Sequence, residues 1–176
     1  MTLLRKFVEA GNQMLVVTKP HLEVVEAICD EPWSHNVTFR FSIGMLDERL
    51  RELWEPGAPP IDERLDAMHY AHASGYGTSV SAEPLLEPWN ALQLYLACEP
   101  FLSKDKGSPA GEFWIGKLNR IRDRVRIKST EQRKALSKVI DWQTDQNVMH
   151  IVTLFQHRGT RHVRWKDSYK QVIERQ

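Results

Sequence analysis

Four short runs of β-branched and aromatic residues, separated by segments of helical period, constrain this chain more than any other feature. The runs are Met14–Thr18, Val37–Ile43, Thr78–Ser81 and Phe113–Gly116, and their composition predicts strands. The first intervening segment opens at Pro20-His21 and places Leu22, Val25, Ile28 and Cys29 on one helical face. Asp47–Trp54 reads as a short charged helical turn within a loop. Pro60–Arg64 starts a longer helix carrying Leu65, Met68, Tyr70 and His72, which Ser74-Gly75 closes, and Ala91–Leu96 begins another. A further helix is expected over Thr2–Ala10, ahead of the first strand. Strand and helix in strict alternation specify an α/β chain with parallel strands.

The last third changes character. Ser129-Thr130-Glu131-Gln132 has the pattern of a capping box ahead of Ala135, Leu136, Val139 and Ile140, and Thr144-Asp145 restarts a helix that runs to Gly159. Arg161–Trp165 is strand-like or irregular, and a short helix ends the chain. No repeat, low-complexity tract or long linker divides the sequence. Charge is divided unevenly: residues 1–116 carry a net −8 and residues 117–176 a net +9. Arg120, Arg122, Arg124, Arg126 and Lys128 crowd into nine positions, alternating with Ile121, Asp123, Val125 and Ile127. That pattern suits a solvated loop or edge strand, or a patch that tracks an anionic partner such as nucleic acid.

With 176 residues, 41% hydrophobic and 27% charged, the chain has the composition of a folded globular domain. Apolar runs long enough for a membrane span are absent, and Arg5, Lys6 and Glu9 break any signal-peptide pattern, so the expected compartment is the cytoplasm, without membrane association. Two cysteines, Cys29 and Cys98, match no metal-ligand spacing, and no protein-held metal is expected.

Where parallel strands curve into a barrel, chemistry gathers at their carboxyl ends. Here those ends are polar on every run: Thr18-Lys19 on the first, Ser42 leading to Asp47 on the second, Glu83 after the third, Lys117 and Asn119 after the fourth. Lys19 can hold a carboxylate or phosphate, Ser42 can hydrogen-bond a hydroxyl or carboxylate, and Glu83 can accept from an ammonium or ribose hydroxyls. Polar residues also end strands simply because strands end at water; four in succession favour a shared site.

The stretches Val16-Val17-Thr18-Lys19-Pro20, Phe39-Arg40-Phe41-Ser42-Ile43-Gly44 and Trp54-Glu55-Pro56-Gly57-Ala58-Pro59, followed by Asp62-Glu63-Arg64, resemble a known family. So do Ser79–Pro84, Trp114-Ile115-Gly116-Lys117-Leu118-Asn119 and Arg164–Ser168. The resemblance is to the C-terminal half of radical S-adenosylmethionine (SAM) proteins related to spore photoproduct lyase and DNA repair photolyases. It implies a partial (β/α) barrel over residues 1–128, about four parallel βα units equivalent to the third to sixth of the family's barrel. Residues 129–176 then form a helical extension packed on it. The family cleaves SAM with a [4Fe–4S] cluster held by a Cys-x-x-x-Cys-x-x-Cys loop, which this sequence lacks. Carried over by position, Lys19 and Ser42 match contacts to SAM's carboxylate or ribose, Ala82 and Glu83 lie beside the nucleoside, and Ile115–Lys117 flank the adenine, with Asn119 following.

The implied function is the C-terminal portion of a radical SAM enzyme, supplying SAM and substrate contacts but no iron–sulfur ligands, and inactive unless a cysteine-bearing N-terminal half or subunit complements it. Three origins are open: a separately encoded subunit, a truncated frame, or a descendant kept for binding. The alternative function is a non-catalytic module that holds an anionic partner through the basic third. A barrel fragment should also leave Met14–Thr18 as an unpaired edge. Elsewhere, His69 and His72 stand one turn apart without a third ligand, and the six tryptophans are read as core.

Overall fold

The computed structural model describes residues 2–103, 107–121 and 125–175. It is an α/β structure in which five strands form one all-parallel sheet: β1 (Met14–Thr18), β2 (Val37–Ser42), β3 (Gly77–Ala82), β4 (Phe113–Ile115) and β5 (Val163–Trp165). Their spatial order is their sequence order. The helices are α1 (Thr2–Glu9), α2 (Leu22–Cys29), α3 (Glu48–Trp54), α4 (Ile61–Ala73), α5 (Ala91–Cys98), α6 (Thr130–Trp142), α7 (Asp145–His157) and α8 (Asp167–Ile173). No helix among the described residues is long and apolar enough to cross a membrane.

Sequential parallel strands joined by crossovers of the usual right hand put the connecting helices on one face of the sheet. Burial follows that geometry. On β2, Val37, Phe39 and Phe41 are buried while Thr38, Arg40 and Ser42 are half-buried. Register carries the same division across the sheet: Phe39 aligns with Thr78, Val80 with Phe113, and Ile115 with Trp165, all on the core face. Beneath it, Tyr95 of α5 meets Phe113 and Phe155 edge-on at 5.3 and 5.5 Å. Trp165 stacks on Tyr169 of α8 at 5.3 Å. Aromatic packing of this kind joins the helices of the last third to the sheet.

Beyond the four runs that predict strands, Val163–Trp165, strand-like or irregular by sequence, pairs with β4 and makes a fifth strand among the described residues. The segment 129–176 thus supplies a strand as well as helices. The basic stretch forms no strand among its described residues: Val125–Lys128 lacks regular structure, and Arg120 takes a left-handed φ of 55°. Arg122 and Arg124 lie outside the described residues.

Candidate functional site

The polar face of the sheet carries a network built from alternate residues of β2, β3 and β4. Arg40 donates through Nε to Ser79 Oγ at 3.1 Å and through Nη2 to Glu112 Oε2 at 2.8 Å. Glu112 also accepts from the Trp114 indole N–H at 2.8 Å and the Ser108 hydroxyl at 2.9 Å. Burial lowers the Arg40 proton affinity, while the Glu112 carboxylate beside it acts in the opposite sense. Higher on the same face, Lys166 Nζ lies 4.9 Å from the Trp114 ring centroid and 3.0 Å from Glu83 Oε2. Gly116 makes room for that pair, since a Cβ there would stand 2.9 Å from Glu83 Cγ.

At the carboxyl end of β1 and β2 a second cluster forms around Glu55. One carboxylate oxygen pairs with Lys19 Nζ at 2.9 Å, and the other accepts from Arg64 Nη1 at 2.7 Å. Arg64 is fully buried, donates also to the Ser42 carbonyl at 3.1 Å and the Pro59 carbonyl at 2.9 Å, and keeps Nη2 buried without a partner. Local sequence builds this arrangement. Asp47 caps α3 by accepting from Arg49 N, and Pro60 sets the extended entry to α4, whose first turn holds Asp62 and Glu63. Glu63 accepts from the Leu22 amide at 3.0 Å, which joins the start of α4 to the start of α2 and holds the Glu63 carboxyl below its ordinary range.

The strand-end candidates are brought together only in part. Register sets Thr18 beside Phe41 and Ser42 beside Ser81, so Lys19, Ser42 and Ser81 follow one another across the end of the sheet, and Glu83 lies one step above Ser81. Ala82 is fully buried with its side chain on the core face; only its carbonyl, which accepts from Gly116 N at 3.1 Å, takes part at this end. Its methyl therefore cannot line a ligand on the polar face. Lys117 gives its amide to Ser168 Oγ at 3.0 Å and points Nζ to Asp145 at the start of α7, 3.6 Å away. Asn119, Arg120, Arg126 and Lys128 are exposed.

Sequence reasoning assigned no role to Arg40, Glu55, Arg64, Glu112 or Lys166, and it read Trp114 as core, whereas its indole lies on the polar face against Glu112, Arg40 and Lys166. The signal for Arg40 was present in the alternation of Val37–Ser42, where a cation occupies a position of the non-core face. Nothing local marks Glu112, whose partners come from β2 and from residues near its own strand.

The two cysteines do not fit an iron–sulfur cluster. Cys98 is fully buried in α5, where burial pushes its thiol up to about 12, and Cys29, at the end of α2, is pushed to about 11. Among the described residues no group of three or more His, Cys, Asp or Glu is placed to hold a metal ion. His69 instead stacks on Phe101 at 4.8 Å, and His72 Nδ1 lies 3.5 Å from Ser103 Oγ. Comparison of the chain with protein-family models, with curated proteins and with solved structures finds no match.

Proposed function

We propose that this chain is the third-to-sixth-unit portion of a radical SAM-type (β/α) barrel, contributing contacts to SAM and substrate but no iron–sulfur ligands. The observation that supports it is the succession of Lys19, Ser42 and Glu83 along the carboxyl ends of successive parallel strands. Lys19 offers a point charge to the ligand carboxylate, and because Glu55 keeps Arg64, Lys19 can turn from Glu55 to a ligand without stranding a buried carboxylate. Ser42 supplies a hydroxyl to carboxylate or ribose. Glu83, held by Lys166, accepts from ribose hydroxyls, and the Ile115–Lys117 backbone flanks the base. Reductive cleavage of SAM belongs to a cysteine-bearing half in this reading, since the sequence has two cysteines and no Cys-x-x-x-Cys-x-x-Cys loop, and the chain alone is inactive.

A few charge-assisted hydrogen bonds of roughly 1.5–3 kcal/mol each, less ordering costs, give a dissociation constant on the order of a millimolar. Calorimetric titration with SAM of the wild type, Lys19→Ala and Ser42→Ala tests the assignment. Weak binding reduced by each substitution is the expected result. Micromolar binding indifferent to both would overturn it.

The exposure of Arg126 and Lys128, with Arg133 and Lys134 on α6, favours a second reading, a non-catalytic module that holds nucleic acid through the basic third. Steeply salt-dependent binding of single-stranded DNA, with no response to SAM, would select it.

A further inference from the structure

The loop between α7 and β5 reads Arg158-Gly159-Thr160-Arg161-His162 and sets two arginines three positions apart. Hydrogen bonds fix it at both ends. Gly159 takes a left-handed φ of 68° and ends α7, whose last carbonyls are occupied: Leu154 accepts from Arg158 N at 3.3 Å and Gln156 from Gly159 N at 2.9 Å. The Phe155 carbonyl takes both the amide and the hydroxyl of Thr160, at 3.4 and 3.1 Å. At the far end the His162 carbonyl accepts from Phe113 N at 2.9 Å, and its ring Nδ1 lies 3.1 Å from the Gly111 carbonyl. With the end of α5 this loop borders a cleft of about 330 Å³, lined chiefly by Tyr95, Glu99, Arg158, Arg161 and His162. The cleft lies at the amino-terminal end of β5, across the sheet from Lys19, Ser42 and Glu83.

The charges in this cleft do not cancel. Neither guanidinium has a hydrogen-bond or ion-pair partner among the described residues. Glu99, the one carboxylate of the lining, pairs with neither arginine and accepts instead from the Tyr95 hydroxyl at 2.9 Å. Tyr95 is fully buried and packed edge-on against Phe113 and Phe155, so it holds the carboxylate from beneath, with Oε1 engaged and Oε2 left as an acceptor. Two like charges lining one concave site, beside helix carbonyls that are already occupied, favour an anion there. Arginine forks suit the oxygens of a phosphate, and the remaining Glu99 oxygen suits a hydroxyl. We propose that this cleft binds a phosphate monoester that carries a free hydroxyl, with Arg158 and Arg161 on the phosphoryl oxygens and Glu99 Oε2 accepting from the hydroxyl. The inference is independent of the function proposed above, which uses the opposite end of the sheet.

Amide NMR of the full chain, titrated with ribose 5-phosphate and separately with inorganic phosphate at constant ionic strength, tests this. Shifts should be confined to Glu99 and residues 158–163, and ribose 5-phosphate should bind more tightly than inorganic phosphate. Arg158→Gln and Arg161→Gln, both at exposed positions, should each weaken the binding of both probes about tenfold. Glu99→Ala should erase the preference for ribose 5-phosphate while inorganic phosphate binds at least as well, because a negative charge has left the cleft. The same spectra report that each variant is folded. An absence of shifts well above about ten millimolar, shifts centred on residues 126–134 instead, or affinity indifferent to both arginine substitutions overturns the proposal. Equal affinity of the wild type for the two probes contradicts the role given to Glu99 and with it the ligand class.

Discussion

Glu55 carries two cations on one carboxylate, and their burial differs: Lys19 is 41% exposed while Arg64 is wholly enclosed. Removing the enclosed partner leaves a nearly buried carboxylate with less compensation, so Arg64→Met should cost about 3–5 kcal/mol in urea unfolding. Lys19→Met should cost less than about 1 kcal/mol, because an exposed pair contributes little. Gly44 is similarly unforgiving, since a Cβ there would lie 2.2 Å from the Pro84 carbonyl oxygen and cannot be housed without moving backbone. Gly44→Ala should destabilise by about 3 kcal/mol. The sequence showed Glu55 and Arg64 inside one stretch, but not that they bond, because their approach depends on where β1 delivers Lys19 and where the turn at Pro59 brings the chain back. Cys98 offers a pH test. Burial raises its folded-state value to about 12 from 9.0, so the unfolded chain ionises first. The Cys98 contribution is therefore flat below pH 9.0, and stability falls as pH climbs from there toward the folded value. In a Cys29→Ser background the remaining thiol should react with a disulfide reagent only at the rate of unfolding.

Elements announced by their ends were the legible ones. Ser129 accepts from the Gln132 amide at 3.1 Å and starts α6 as the capping pattern predicts, so Ser129→Ala should lower stability by about 1 kcal/mol. Thr144 caps α7 in the same manner. β5 was ambiguous because three residues between His162 and Lys166 carry too little periodicity, and only pairing with β4 makes them a strand. The junction of α3 and α4 depends on Glu48, which accepts from Arg51 Nε at 2.6 Å and from the Ile61 amide at 3.1 Å. The Arg51 hydrogen bond, chiefly, holds the Glu48 carboxyl below its ordinary value of 4.5. A depressed folded-state value stabilises the fold above the unfolded value, and the contribution disappears as pH falls through the folded one. Thermal melts of Glu48→Gln should accordingly show a lower midpoint at neutral pH and a shallower loss on acidification than the wild type.

At the scale of the molecule, sequential parallel strands with a core on one face and charge on the other create a surface that can hold a polar ligand near strand ends. The alternation of strands and helices made the sheet readable from sequence. The polar face was not, because its network joins Arg40, Ser79 and Trp114 of three strands to Glu112 just before β4, and register decides which of them meet. The strand-end candidates divided for the same reason: Ser42 and Glu83 sit on the polar side, whereas Ala82 belongs to the core. Amide NMR of the isotope-labelled chain titrated with SAM tests the proposed site most directly. The account predicts shifts confined to Thr18–Lys19, Ser42–Gly44, Glu83 and Gly116–Lys117. Shifts centred on the cleft of Tyr95, Arg158, Arg161 and His162, or none at concentrations well above about a millimolar, would contradict it.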